Sequence, residues 1–147
     1  FLDTDATKAV FDDASLADAR FENAKLASAS LVNAAAAGAV FEQSDLTAAI
    51  LHKADLTAAV FSGATLRRAD LRAIAARGAL FREADLQGAR LDGADLMRAS
   101  FEAANLRGAT LTGANLYQAE TWLAATAEAD LTGALLAGTK LAPRGAR

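Results

Sequence analysis

A five-residue period runs through the whole chain and constrains its fold more than any other feature. From Phe1 to Leu141, every fifth residue is Leu or Phe at 24 of 29 positions. Two residues before these positions, from Thr4 to Thr139, Ala fills 24 of 28 positions. The unit is therefore Ala-x-Leu/Phe-x-x, and its register never slips by a residue.

This period fits neither an α-helix nor a long β-strand. A helix places apolar residues three and four apart, so a strict spacing of five would spread the leucines around its whole surface. A strand alternates with period two, whereas the large and small residues here alternate over only three positions. The spacing predicts a short extended piece followed by a corner. Gly, Asp, Asn, Ser and Thr, which turns favour, are frequent outside the two inward positions.

The unit resembles the signature A(D/N)Lxx of the pentapeptide-repeat family, and the resemblance extends from Phe1 to Leu141. It implies an all-β fold, a right-handed quadrilateral parallel β-helix, in which each pentapeptide forms one side and four form a coil. The Leu or Phe and the Ala two residues before it would face inward. We therefore expect about seven coils in residues 1–141, followed by a C-terminal tail at 142–147.

The phenylalanines independently indicate four units per coil. Six of the seven occupy every twentieth position: Phe1, Phe21, Phe41, Phe61, Phe81 and Phe101. A coil of four pentapeptides would stack them in one column, whereas a coil of five or six units would scatter them. We call the side of the rod that carries this column the Phe face.

Some positions depart from the repeat. Ile74 at an Ala position is followed by Ala76 at a Leu position, a swap that conserves volume. Thr121 and Thr126 occupy inward positions near the only Trp, so we expect a bulge or a helical turn that distorts the coil around 120–130. Because the repeat is already in register at Phe1, we expect a fragment of a larger protein or a first coil that meets another chain end to end.

Composition excludes several classes of function. Cys is absent and His52 is the only histidine, which excludes disulfides, thiolate zinc sites and Cys nucleophiles. We expect no catalytic, cofactor-binding or metal-binding residues and no cofactor, because the carboxylates lie on a convex rod without a cleft. The net charge of −3 is too weak to predict a direct nucleic-acid partner.

No feature of the chain points to a membrane. No apolar run approaches the roughly 18 residues of a membrane span, and no signal peptide is visible at the first residues. We therefore expect a cytoplasmic protein without a membrane partner. The high Ala, Arg and Gly content is typical of a GC-rich bacterial genome.

Two surface features are candidate binding sites for a protein partner. Val40, Val60 and Leu80 each precede a Phe on successive coils, so they would form an outward apolar stripe on the Phe face. This stripe is a candidate interface with a partner or a second copy. The alternative is that such residues simply favour extended backbone.

The second feature is basic. Residues 61–90 hold three acids and six bases, and about one arginine per side would form a belt around one coil. A belt fits a DNA groove poorly, which leaves solubility or docking to an acidic partner. The belt comprises Arg67, Arg68, Arg72, Arg77 and Arg82.

Opposite charges separated by four pentapeptides predict a solvated surface with ion pairs between adjacent coils. The predicted pairs are Asp5 with Lys25, Lys25 with Asp45, Asp70 with Arg90, Arg72 with Asp92, and Arg82 with Glu102.

The resemblance leaves three functions open. The first is a non-catalytic interaction or scaffold module, such as a domain of a bacterial secretion-system component. The second is a DNA-mimicking rod that binds DNA gyrase and protects it from quinolones. The third is an enzyme with an unusual site. The acidic surface is interrupted by the arginine belt and inserted loops are absent, which favours the scaffold over the mimic.

Overall fold

The computed structural model describes residues 1–141, which follow one local pattern throughout. Each pentapeptide contributes one residue to a β-bridge and then turns a corner over two residues. Residues 1–141 contain no helix and no strand longer than a single bridge. The described part of the chain accordingly offers no helix with the length and apolarity of a bilayer crossing.

Parallel β-bridges join residues that are 20 apart. They form an unbroken series of 23, from Asp5 with Lys25 to Asn115 with Leu135. Because the chain turns every five residues and returns after 20, each coil has four sides of one pentapeptide, as the phenylalanine spacing predicts. The bridging residue directly precedes the inward position that Leu or Phe usually fills, and we call its place the bridge position.

Hydrogen bonds tie each side to the coils on both of its flanks. The Phe61 N–H donates to the Leu80 carbonyl at 2.7 Å, and the Val60 N–H donates to the Ala39 carbonyl at 2.9 Å. The corner between two sides is closed by the Ala64 N–H, which donates to the Phe61 carbonyl at 3.0 Å. The backbone polar groups of a coil are thus satisfied by its neighbours, as burial requires.

The corners require a left-handed residue. The second turn residue has a positive φ at every corner of residues 1–140, and 19 of these residues are not glycine. Their φ values of 51° to 61° lie in the left-handed region, which Gly adopts at least cost. Nine of the ten glycines stand at this position, which explains why glycine recurs at the repeat period.

The Asp or Asn of the repeat signature has a specific role at the corner. Its Oδ1 accepts a hydrogen bond from the backbone N–H two residues further on, as between Asp55 and Thr57 at 3.0 Å and between Asn115 and Tyr117 at 3.1 Å. All nine Asp and Asn residues at bridge positions make this bond, at 2.9 to 3.4 Å. The signature is therefore an Asx turn repeated along the rod.

The inward residues form one continuous core. Phe21, Phe41, Phe61, Phe81 and Phe101 are fully buried. Consecutive rings of the column, from Phe1 to Phe101, lie 4.7 to 5.0 Å apart and within 8° of parallel, a separation that follows from the coil spacing. Phe11 packs from another side, its ring edge-on to Phe21 at 5.7 Å. The predicted phenylalanine column is confirmed.

The departures from the repeat are absorbed without a change of register. Ile74 and Ala76 are both buried in the core, consistent with a swap of volumes. The expected distortion around 120–130 is wrong, because Glu120 and Ala125 keep their bridges to Ser100 and Asn105. Threonine is β-branched and suits extended backbone, so the coil continues. The predicted tail at 142–147 lies outside the described residues.

Candidate interaction faces

The bridge column of the Phe face carries an apolar ridge, which comprises Val40, Val60 and Leu80. Successive β-bridges join Val40 to Val60 and Val60 to Leu80, so their side chains stack about one coil spacing, ~4.8 Å, apart. Leu80 is 36% exposed, and both valines are partly exposed. The ridge ends at Ser100, which is buried. The predicted contiguous stripe is present, while its role as an interface stays a prediction.

One flank of the ridge is lined mostly by small corner residues. The corners that lead into Val40, Val60 and Leu80 hold Gly38, Ala58 and Gly78, respectively. The first residue of these corners is Ala37, Thr57 or Arg77, so only the corner before Leu80 carries a large side chain. A partner surface could reach Val40 and Val60 from this side without displacing a large side chain.

A polar depression of about 220 Å³ lies on the other flank. It lies at the corner that follows Val60, where Gly63 carries no side chain. A Cβ at residue 63 would meet Nε2 of Gln43, so the Gln43 amide covers the glycine. The depression is lined by Glu42, Gln43, Ser62, Gly63, Arg82 and Glu83.

The charge of this depression is negative. Arg82, its one lining cation, is held by Glu102 on the next coil at 2.7 Å. Within residues 1–141 the carboxylates of Glu42 and Glu83 form no ion pair. Along the Phe face as a whole, Asp and Glu outnumber Lys and Arg by six to three. The ridge thus has an uncompensated acidic rim.

The predicted basic belt is largely neutralised. Four of its five arginines form ion pairs: Arg67 with Asp85, Arg72 with Asp70 and Arg77 with Asp95, each at 2.5 Å, and Arg82 with Glu102 at 2.7 Å. Among the described residues, Arg68 has no ion-pair partner; it lines a depression of about 330 Å³ with Arg67, Gln87 and Gly88. That the belt docks an acidic partner stays a prediction. Within the described residues, Arg68 is the one belt arginine left for that contact without breaking an ion pair.

The ion pairs do not follow the predicted spacing. Of the five pairs predicted at a spacing of 20, only Arg82–Glu102 forms within the described residues. Asp70 pairs with Arg72 on its own side, and Asp85 pairs with Arg67 at a sequence separation of 18. For Asp70 and Asp85 the reason is the Asx turn, which directs a bridge-position carboxylate towards the corner, where Arg72 and Arg67 lie.

These interactions hold the acids in their ionised form. The hydrogen bond from Arg72 lowers the pKa of Asp70, and burial of this carboxyl opposes that effect only in part. Burial alone would raise the pKa of Asp85, but hydrogen bonds from Arg67, Gln87 and Asn105 outweigh it and lower the pKa. At neutral pH both carboxyls are ionised and accept hydrogen bonds from neighbouring donors. A catalytic acid must instead hold a proton that it can donate.

The lone histidine is part of the surface. His52 is partly exposed, and its Nδ1 lies 3.1 Å from the Arg72 carbonyl oxygen. Within residues 1–141 no group of three or more His, Asp or Glu side chains is placed to hold a metal ion.

One feature of the Phe face was missed from the sequence. A depression of about 370 Å³ lies at its C-terminal end, lined by residues that include Glu102, Glu120 and Trp122. The ammonium of Lys140 sits 4.4 Å from the centre of the exposed Trp122 ring, a cation–π contact. The two residues have the same sequence separation as Arg67 and Asp85, and this spacing is the signal that would have paired them.

A four-sided parallel coil with an Asx turn in its repeat defines a solenoid class of protein. The family described as Pentapeptide repeats (8 copies) matches in five overlapping segments: residues 7–43, 26–63, 37–73, 64–102 and 79–118. The chain belongs to the pentapeptide-repeat family. A search of curated proteins gave no match.

Solved structures show the same fold. A pentapeptide repeat protein from the thylakoid lumen of Arabidopsis thaliana is 31% identical, with a TM-score of 0.57, over 69% of this chain and 68% of that one. Full-length QnrB1, described as a plasmid-mediated fluoroquinolone resistance protein, is 20% identical with a TM-score of 0.60, over 97% of this chain and 93% of that one. At this identity, QnrB1 supports the fold alone.

Proposed function

We propose that this chain is a non-catalytic protein-interaction module that binds its partner through the Phe face. In this proposal residues 1–141 form a right-handed rod of about seven coils, which serves as a scaffold domain in a cytoplasmic bacterial protein. The observation that carries the proposal is the apolar ridge of Val40, Val60 and Leu80 on consecutive coils.

The ridge stands at positions where the rest of the rod is usually polar. On the other faces, Asp or Asn at the bridge position gains a hydrogen bond from the corner, as Asp55 does. The ridge residues forgo that bond and expose apolar surface to water instead. A contiguous apolar row inside a polar rim is the layout of a small interface centre.

Gyrase binding by DNA mimicry is the weaker alternative. A mimic of DNA needs a continuous run of uncompensated negative charge, as on the phosphate backbone. Here three acids of the middle coils are paired with arginines, among them Asp85 with Arg67 and Asp95 with Arg77. The likeness to QnrB1 lies in the fold, and fold alone does not carry function.

In-cell photo-crosslinking tests the proposed face. A photoreactive benzoyl-phenylalanine is placed at residue 60 or, as a matched control, at residue 50, since Ile50 holds the bridge position on another face and is 42% exposed. We expect a discrete protein adduct from residue 60 and none from residue 50. Equal adducts from both positions, or none from residue 60, would overturn the proposal.

A further inference from the structure

The depression beside the ridge has the geometry of a socket for one side chain. It opens at Ser62 and Gly63, directly after Val60 on the same coil. Its volume of about 220 Å³ exceeds the roughly 30 Å³ share of a single water several times. A partner group that covers Val60 would therefore lie beside a solvent-open polar depression, in which the flexible Gln43 side chain covers Gly63.

The polar groups that line the socket select for positive charge. Glu42 comes from the coil before Gly63 and Glu83 from the coil after it, about two coil spacings, ~10 Å, apart along the rod. Neither carboxylate has an ion-pair partner within residues 1–141, because Arg82 is engaged by Glu102. An anionic ligand would be repelled by two uncompensated carboxylates here, whereas a cation between them would be attracted by both.

A guanidinium fits this arrangement better than an ammonium. Its planar group carries five donors, enough to reach carboxylates on both sides, and it is more weakly hydrated than an ammonium. Arginine is also enriched at the centre of protein interfaces. Its aliphatic stem can lie along Val60 while its charged head reaches the acidic rim.

We propose, building on the function proposed above, that the partner inserts an arginine side chain between Glu42 and Glu83 at Gly63, while apolar residues beside that arginine cover the ridge of Val40, Val60 and Leu80. The partner is thus a protein with an arginine set in an apolar patch. The acidic rim selects the arginine, and the small corner residues before Val40 and Val60 admit the apolar patch.

The socket can be tested without the partner, by NMR with small probes. ¹⁵N-labelled protein is titrated with N-acetyl-arginine amide and, separately, with N-acetyl-citrulline amide, which has nearly the same shape without the charge. We expect the arginine probe to shift the amide signals of Ser62, Gly63 and Glu83, with weak affinity. The citrulline probe is expected to shift them much less.

Two double variants distinguish binding at the socket from a general effect of acidic charge on the protein. Glu42→Gln with Glu83→Gln removes the socket charges, and we expect up to about fivefold weaker binding of the arginine probe, the value of one or two exposed ion pairs. Asp13→Asn with Glu128→Gln changes the net charge equally at exposed corners elsewhere and should leave binding unchanged. Equal weakening by both pairs, or equal shifts from both probes, would overturn the socket.

A third variant fills the socket instead of discharging it. Gly63→Asn adds a side chain at a corner whose equivalent on the same face, Asn23, already has a φ of 55°. The atom that it meets is the far end of the flexible Gln43 side chain, so the fold should be kept. Binding of the arginine probe should be lost; unchanged binding would contradict the location.

The two proposals fail separately. If residue 60 forms its adduct but the arginine probe does not bind, the socket is wrong and the interaction face stands. If the probe binds at Gly63 but residue 60 forms no adduct, the cation site exists without the proposed interface.

Discussion

The Phe face and the other three faces share one backbone but differ in their outer residues. The other faces hold all nine Asp and Asn residues found at bridge positions, and each accepts a corner hydrogen bond. The bridge column of the Phe face has none. Along the rod this column reads Arg20, Val40, Val60, Leu80, Ser100 and Glu120.

The comparison shows that the coil does not depend on the Asx turn. The corner after Leu56, which has Asp55 before it, closes with an N–H to carbonyl distance of 3.0 Å at Ala59. The corner after Phe61, which has Val60 before it, closes at the same distance at Ala64. The inward residues therefore hold the fold, and the bridge positions of the Phe face are free for another purpose.

The largest effect is expected from an inward substitution on the Phe face. Phe61→Asp removes a fully buried ring and leaves an unpaired charge in the stack. We expect a loss above the ~3–5 kcal/mol of a Phe→Ala change in a core, read as a large fall in Tm by circular dichroism. Val60→Asp, one residue earlier, is the control and should keep the Tm near that of the parent. Similar Tm values for Phe61→Asp and the parent would contradict the inward assignment.

A smaller effect is expected at a bridge position of another face. Asp55→Ala deletes the 3.0 Å hydrogen bond to the Thr57 amide and should cost about 0.5–1.5 kcal/mol in the free energy of unfolding. Urea unfolding measures this loss. Val60→Ala has no such bond to lose, so we expect a smaller change. A larger loss from Val60→Ala than from Asp55→Ala would reverse the comparison.

The contribution of the Asp70 carboxyl to stability should depend on pH. The folded pKa of Asp70 is lowered, so its stabilising contribution is complete above its unfolded pKa of about 3.9 and is lost as pH falls through the folded pKa. Asp70→Asn should therefore be less stable than the parent at neutral pH, and this difference should shrink below about pH 4. A difference in urea unfolding free energy that stays constant across this range would contradict the assignment.

The smallest effect is expected on DNA gyrase. With Asp70, Asp85 and Asp95 of the middle coils paired to arginines, we expect neither inhibition of supercoiling nor protection from quinolones at micromolar concentrations of the protein. A supercoiling assay with and without a quinolone measures both. Clear protection near micromolar protein would make all four faces, rather than the Phe face alone, candidates for binding.

The sequence predicts the core well because the Leu and Phe residues at the five-residue spacing face inward. The regular spacing of the Phe column gives four units per coil, and the structure confirms it. The sequence wrongly predicts a distortion around Thr121 and Thr126, because these residues are small and polar at inward positions. Their β-branched shape suits the extended side, however, and Trp122 and Leu123 remain outside in the corner, both exposed.

The outer surface is less predictable because local turn geometry redirects its side chains. A spacing of 20 identifies backbone neighbours, but it does not show that the Asp85 carboxylate turns towards its own corner and so meets Arg67. The contact of Lys140 with Trp122 was not predicted, for the same reason. The acidic socket was likewise not predicted, because it depends on which acids remain unpaired.

The central claim is that the Phe face binds a partner while the other faces only complete the rod. It is tested most directly by Val60→Asp and Ile50→Asp, which place the same residue at equivalent bridge positions on two faces. Both variants should fold, since Asp suits this position. The tagged parent and Ile50→Asp should retain the protein that crosslinks to residue 60, and Val60→Asp should retain about tenfold less of it, a change of ~1.4 kcal/mol. Equal retention by Val60→Asp and Ile50→Asp would contradict the claim.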